Sequence, residues 1–388
     1  MLYGGWFDAG DHVKFGFPMA GSATILIWGM IDYETEYKVM GEWSNGLGSV
    51  RWALEYFIRA HTQKFEYWGQ VGDGGPDHAF WGRPEDMTMY RPAFKIDQTH
   101  PGSDLAGETA AALAAGSILF KEEDPGFAAE CLRHAKELWE FADSFRGKYT
   151  DSIWQAQDFY NSWNGYGDEL AWGAAWLYRA TNDPWYLQKA DENYNSNIGE
   201  VFSWDDKTAG YQVLLAQITS NNKYKDSVVN YYDWLQWSAK KTPKGLLWLS
   251  KWGSNRYASN AAFLLLQARK IDRIPKADQD KYFNFGKSQI HYILGDNGRS
   301  YVIGYGNNPP TKPHHRASSC PPVPQWCDAS AAGSWDPNPW ILYGALVGGP
   351  DEWDNYVDDR NDYIANEVAC DYNAGFQSAI AALKSETT

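Results

Sequence analysis

The chain has 388 residues, a formal charge of −15, 44% hydrophobic and 21% charged residues. With no basic cluster to displace counterions from phosphates, this acidic balance excludes nucleic acid as a partner. No apolar run reaches the roughly 18 residues that a membrane-spanning helix needs, and no secretory leader precedes Met1. Without a Pro/Ser-rich linker, residues 1–388 read as one large domain, monomeric, with no additional binding module after the last helix. Aromatic residues reach 16%, with 21 Trp and 25 Tyr, and many lie in polar, Gly- and Asn-rich segments. Most such rings belong in a core, but those in polar loops offer flat faces to a neutral ligand such as a sugar.

Apolar residues at helical spacing recur at 22–38, 47–61, 104–121, 127–145, 168–181, 184–196, 207–219, 224–239, 257–270, 278–294 and 371–383. Ser103-Asp104 opens one helix, Asp124-Pro125 separates two more, and Asn182-Asp183-Pro184 turns tightly between another pair. Strand alternation is nearly absent. Helical hairpins separated by long Gly- and Pro-rich loops predict an all-α toroid, an inner ring of helices inside an outer one. Eleven helices is an odd number for hairpins, which predicts that a first N-terminal helix is lacking.

Two acidic segments carry candidate chemistry. In GGWFDAGDHVKFGFPMA, Asp8 and Asp11 stand three residues apart in a Gly-rich turn before a helix, as a capping pair would. Near the other end, Asp351, Glu352, Asp354, Asp358, Asp359, Asp362 and Glu367 place seven acids within seventeen residues. Glycosidic hydrolysis needs one carboxylic acid to protonate the leaving oxygen and one carboxylate to attack or to activate water. The two ends could supply one each, and Glu367, flanked by Val368 and Ala369 and near other carboxylates, is the candidate for a raised pKa. Cys320 and Cys327 bracket a short loop that a disulfide closes easily; a metal site using those sulfurs with His314 and His315 is the rival reading. Cys131 and Cys370, far apart within helical patterns, read as buried thiols.

GGWFDAGDHVKFGFPMA, NPPTKPHHRAS (308–318) and VGGPDEWDNYVDDRNDYIANEVACDYNAGF (347–376) resemble the signature segments of glycoside hydrolase family 9. HAFWGRPEDM, SDLAGETAAALAA and CPPVPQWC are most similar to those of its termite and other invertebrate endoglucanases. The resemblance runs from Gly4 to about Leu383 and implies an (α/α)6 barrel, secretion, and inverting hydrolysis of internal β-1,4-glucosidic bonds in cellulose or soluble glucan. It further implies Asp11 as the base, Asp8 as the group orienting the attacking water and Glu367 as the acid, separated by roughly 6.5–9.5 Å so that water fits between.

By the same resemblance His314 and Arg316 contact the sugar at the cleavage point, donating to hydroxyls, with Tyr372 beside the same ring. His78, Trp81, Tyr160, Trp163, Trp252 and Arg256 fall at substrate-contacting positions, and Trp204 is a further stacking candidate. NGYGDEL resembles the family's structural calcium loop, with carboxylates from Asp168, Glu169 and Asp205 and carbonyls from Asn164 and Gly165. The alternatives are a truncated glucan-binding homologue without activity, or an inverting glycosidase for another β-1,4-linked glycan.

Overall fold

In the computed structural model, residues 2–385 are described. Eleven long helices organise the described residues: α1 (Gly16–Asp32), α2 (Trp43–Ala60), α3 (Ser103–Leu119), α4 (Pro125–Ser144), α5 (Gly167–Thr181), α6 (Pro184–Glu192), α7 (Thr208–Ile218), α8 (Asn222–Trp237), α9 (Ser254–Ala268), α10 (Lys276–His291) and α11 (Cys370–Lys384). Each answers one of the eleven periodic segments. The first begins earlier than expected, at Gly16, because Pro18 lies in its first turn, where proline is tolerated. It breaks at Tyr33 before a short helix, Glu34–Val39.

The odd-numbered helices form a closed inner ring, α1 against α3, then α5, α7, α9 and α11, with α11 returning to α1. Each even-numbered helix lies outside, against the inner helix that precedes it. This is the alternating arrangement of an (α/α)6 barrel. Residue size explains which helices go where. In α3 every residue but Ile118 is buried, and its sequence is alanine-rich; a helix apolar on all sides belongs inside. By contrast α2 and α4 bury one face and leave charged residues on the other.

A small antiparallel sheet was not apparent from the sequence. Strands β1 (Lys14–Phe15), β2 (Glu66–Val71) and β3 (Ala93–Asp97) pair in that order, with Lys14 opposite Val71 and Tyr67 opposite Ile96. Two residues are too few to show alternation, and Gly69 interrupts the pattern in β2. The sheet ties the chain just after Asp11 to the barrel rim. Cys320 and Cys327 are joined in a disulfide, which removes those sulfurs from any metal site; among the neighbouring side chains, His315 Nδ1 instead accepts the Ser318 amide.

Ring closure is intolerant of bulk. A Cβ added at Gly375 of α11 would lie 2.0 Å from Asn260 Oδ1 and 3.0 Å from its Cα on α9, and Asn260 is held by its own bond to the Phe202 carbonyl. Gly375→Ala is therefore expected to lower stability by about 1–3 kcal/mol through overpacking, read as a fall in the thermal unfolding midpoint.

Candidate active site

The loops before α1 and α11 meet at one end of the barrel. Asp8, Ala9, Gly10 and Asp11 form a tight turn closed by a 3.0 Å bond from the Asp11 amide to the Asp8 carbonyl. Ala9 takes φ +46°, a strained conformation for a residue with a side chain. Gly10 must be glycine: a Cβ there would lie 2.5 Å from the His315 Cα and 2.8 Å from the His314 carbonyl oxygen. The Arg316 amide and guanidinium both donate to the Gly10 carbonyl, at 3.3 and 3.2 Å. Thus the N-terminal turn is seated on the PHHR segment.

Glu367 arrives from the other end of the chain on extended backbone. It pairs with His314 on one side, while neighbouring Val368 pairs with Val347 on the other. Its Oε2 accepts from the Trp252 indole at 2.8 Å and the Tyr372 hydroxyl at 3.0 Å. Asp8 accepts the Tyr160 hydroxyl at 2.8 Å on both oxygens, and Asp11 Oδ1 accepts the Val13 amide at 2.9 Å.

One cleft is lined by Asp8, Asp11, His78, Tyr160, Trp204, Trp252, Arg256, His314, Glu367 and Tyr372. Tyr257, Tyr363, Phe159, Phe15 and Asp158 complete it; nothing in their local sequence had marked them, although Tyr257 follows Arg256 directly. Three expected sugar contacts lie elsewhere. Arg316 is buried beneath the turn, facing Asp77 at 3.6 Å, because its guanidinium balances a buried carboxylate. Trp81 backs His314 edge-on and donates to Ser319 Oγ. Trp163 is 77% exposed on its loop, outside the lining. Arg256 reaches the cleft but is committed to Asp371 at 2.6 Å, a positioning residue that went unnoticed four residues after Glu367.

Desolvation at the cleft floor raises all three central carboxyls. For Asp8, burial comes first and Asp371 next, with the Tyr160 bond opposing. For Asp11, burial is followed by repulsion from Asp8 and Asp77, while Val13 and Arg316 oppose. For Glu367 burial again leads, and the bonds from Trp252 and Tyr372 pull the other way. Burial lowers the pKa of His314. Its Nδ1 meets the Arg360 carbonyl at 2.7 Å, and a carbonyl only accepts, so the neutral ring carries its proton there. In that neutral form the remaining nitrogen of His314 is an acceptor.

The anticipated calcium loop holds Asp168 and Glu169 at the start of α5, both buried. Asp168 accepts the Lys207 amide, and Asp205 accepts the Trp163 and Asn164 amides. The Gly165 carbonyl accepts from Ser162 Oγ. Both Glu169 oxygens are buried without a hydrogen bond, one of them 3.6 Å from Lys207 Nζ. Burial pushes Asp168 up to about 7 and Asp205 up to about 6. An all-oxygen donor set around orphaned carboxylate oxygens fits a hard cation. Among the described residues, however, Asp168, Glu169 and Asp205 do not draw their oxygens within 4.8 Å of one another as a set of three.

Desolvated carboxyls of raised pKa in an aromatic cleft at the mouth of a helical barrel are the constitution of a glycoside hydrolase. The chain belongs to glycosyl hydrolase family 9, which it matches over residues 1–380. It is 56% identical to the endoglucanase of the termite Nasutitermes takasagoensis, superposing with a TM-score of 0.97 over 100% of this chain and 89% of that one. Endoglucanase A of Bacillus pumilus is 48% identical over 98% of the chain. Endoglucanase CelQ of Clostridium thermocellum, solved in complex with cellotriose, is 38% identical with a TM-score of 0.88 over 100% of this chain and 64% of CelQ. The chain spans 59% of the length of the Bacillus pumilus enzyme.

Tyr372→Phe removes one bond that favours the charged form of Glu367. The Glu367 titration midpoint, followed by carboxyl 13C NMR, is expected to move to higher pH; an unchanged or lowered midpoint would contradict the assignment.

Proposed function

We propose that the chain is an endo-β-1,4-glucanase that hydrolyses cellulose or soluble β-1,4-glucan with inversion. Asp11 removes a proton from the attacking water, Asp8 orients that water, and Glu367 protonates the leaving oxygen. The observation that carries this reading is the shared cleft: the carboxyls from both chain ends face one space, and Glu367 there has its pKa raised, as an acid requires. Aromatic faces of Trp252, Trp204, Tyr363 and Tyr257 suit the C–H faces of glucose units, while the acceptor nitrogen of His314 suits a hydroxyl. The endoglucanase relatives, one of them solved with cellotriose, support the substrate.

Both limbs of the pH profile follow from these directions. Raised pKa values on the Asp8/Asp11 pair set the acidic limb, below which the base is protonated. Activity falls again as pH rises through the raised pKa of Glu367, where the acid loses its proton. Asp11→Asn and Glu367→Gln are each expected to lower kcat on carboxymethylcellulose by on the order of 10²–10⁴-fold. Reducing-end release equal to the unmodified enzyme in either variant would sink the proposal.

A structural calcium ion held by Asp168, Glu169 and Asp205, with carbonyls of Asn164 and Gly165, belongs to the same reading. Its role is to neutralise buried charge and fix the loop bearing Tyr160 and Trp163. Orphaned oxygens on Glu169 favour it. Chelation is expected to lower the thermal midpoint and calcium to restore it; a midpoint indifferent to chelator would remove the ion from the account. The Cys320–Cys327 disulfide favours secretion into an oxidising compartment.

A further inference from the structure

Asp77 immediately precedes His78 but does not face the cleft. It is 1% exposed, on the short helix Gly74–His78. Its Oδ1 accepts the His12 amide at 3.2 Å and faces Arg316 Nη1 at 3.6 Å; its Oδ2 is 3.9 Å from Arg91 Nη1 and from His12 Nδ1 and has no hydrogen bond. Burial pushes the pKa of His12 down to about 4, so that ring is neutral and brings no charge. Arg316 and Arg91 are therefore the cations that face Asp77. On its other side, an oxygen of Asp77 comes within 4.8 Å of one from Asp11 and of a ring nitrogen of His78.

A buried carboxylate beside a second one is unfavourable unless cations and donors offset it. Here Arg316 links the two: it faces Asp77 and donates to the Gly10 carbonyl inside the strained turn that aims Asp11. The His12 amide, one residue after Asp11, is held by the same carboxylate. Resting on the glycosidase reading above, we propose that Asp77 is a positioning residue for the catalytic base, holding the Asp8–Asp11 turn through Arg316 and the His12 amide and strengthening Asp11 as a proton acceptor.

The electrostatic half follows from the groups facing Asp11. Asp8 and Asp77 repel its charged form, Arg316 attracts it, and His78 lies 3.6 Å from Oδ2. His78 Nδ1 meets the Gly74 carbonyl at 2.7 Å, and burial lowers the pKa of the ring. Removing the Asp77 charge leaves Arg316 less balanced, lowering the proton affinity of Asp11. A weaker base then activates water less well, although it stays ionised at lower pH.

The test compares Asp77→Asn and Asp77→Glu with the unmodified enzyme. Asp77→Asn is expected to lower kcat roughly tenfold, move the acidic limb of kcat/KM to lower pH and leave KM within about twofold, since Asp77 does not line the cleft. Asp77→Glu, keeping the charge, is expected to return the limb toward its original pH even where kcat stays low. In the Glu367→Gln background, carboxyl 13C NMR is expected to show the Asp11 titration moving down with Asp77→Asn; this readout needs no turnover. If Asp11 titrates as before in folded Asp77→Asn, or the variant changes only the thermal midpoint, the proposal is overturned. An unmodified enzyme that does not hydrolyse glucan would instead overturn the glycosidase reading, while the NMR comparison would still decide the role of Asp77.

Discussion

Contact between the first and last inner helices brings the acidic segments from the two ends of the chain together. Asp8 and Asp11 stand just before α1, Glu367 just before α11, and about 350 residues of barrel separate them in sequence. The seam is tight: Ser378 of α11 donates to the Ile25 carbonyl of α1, and a Cβ on Gly29 would lie 2.4 Å from Ser378 Oγ. At the rim, the Gly10 turn rests directly on the His314–Arg316 segment, which in turn pairs with Glu367. Any change that opened this seam would separate Glu367 from Asp8 and Asp11.

Burial then does the chemical tuning. Water is displaced from the cleft floor by the barrel itself, so carboxyls that would be fully ionised in solution hold protons more strongly. The hydrogen bonds from Tyr160, Trp252 and Tyr372 and the charges of Arg256 and Arg316 limit this effect without cancelling it. Arg316 thus acts from beneath the site and Arg256 from its wall. The family resemblance had placed both against the sugar; Arg316 lies instead beneath the turn against Asp77, while Arg256 lines the cleft and pairs with Asp371.

Much of this was legible in the sequence, for definite reasons. Helices announced themselves through spacing and through Asp-Pro boundaries, and the family segments carried Asp8, Asp11, Glu367 and His314 into one site. What escaped depended on partners distant in the chain. The two residues of β1 have no periodicity to detect, the start of α1 was hidden by Gly16 and Pro18, and Asp77 and Asp371 become meaningful only once Arg316 and Arg256 are seen beside them. The proton on His314 was likewise decided by the Arg360 carbonyl, 46 residues away.

The proposed pairing of Asp11 with Glu367 is tested most directly by the configuration of the first sugar released. Proton NMR of cellopentaose hydrolysis, recorded before mutarotation, is predicted to show the α-anomer at the new reducing end, as attack by a base-activated water requires. Initial release of the β-anomer would mean that a carboxylate attacks the sugar itself, and would contradict the roles given to both residues.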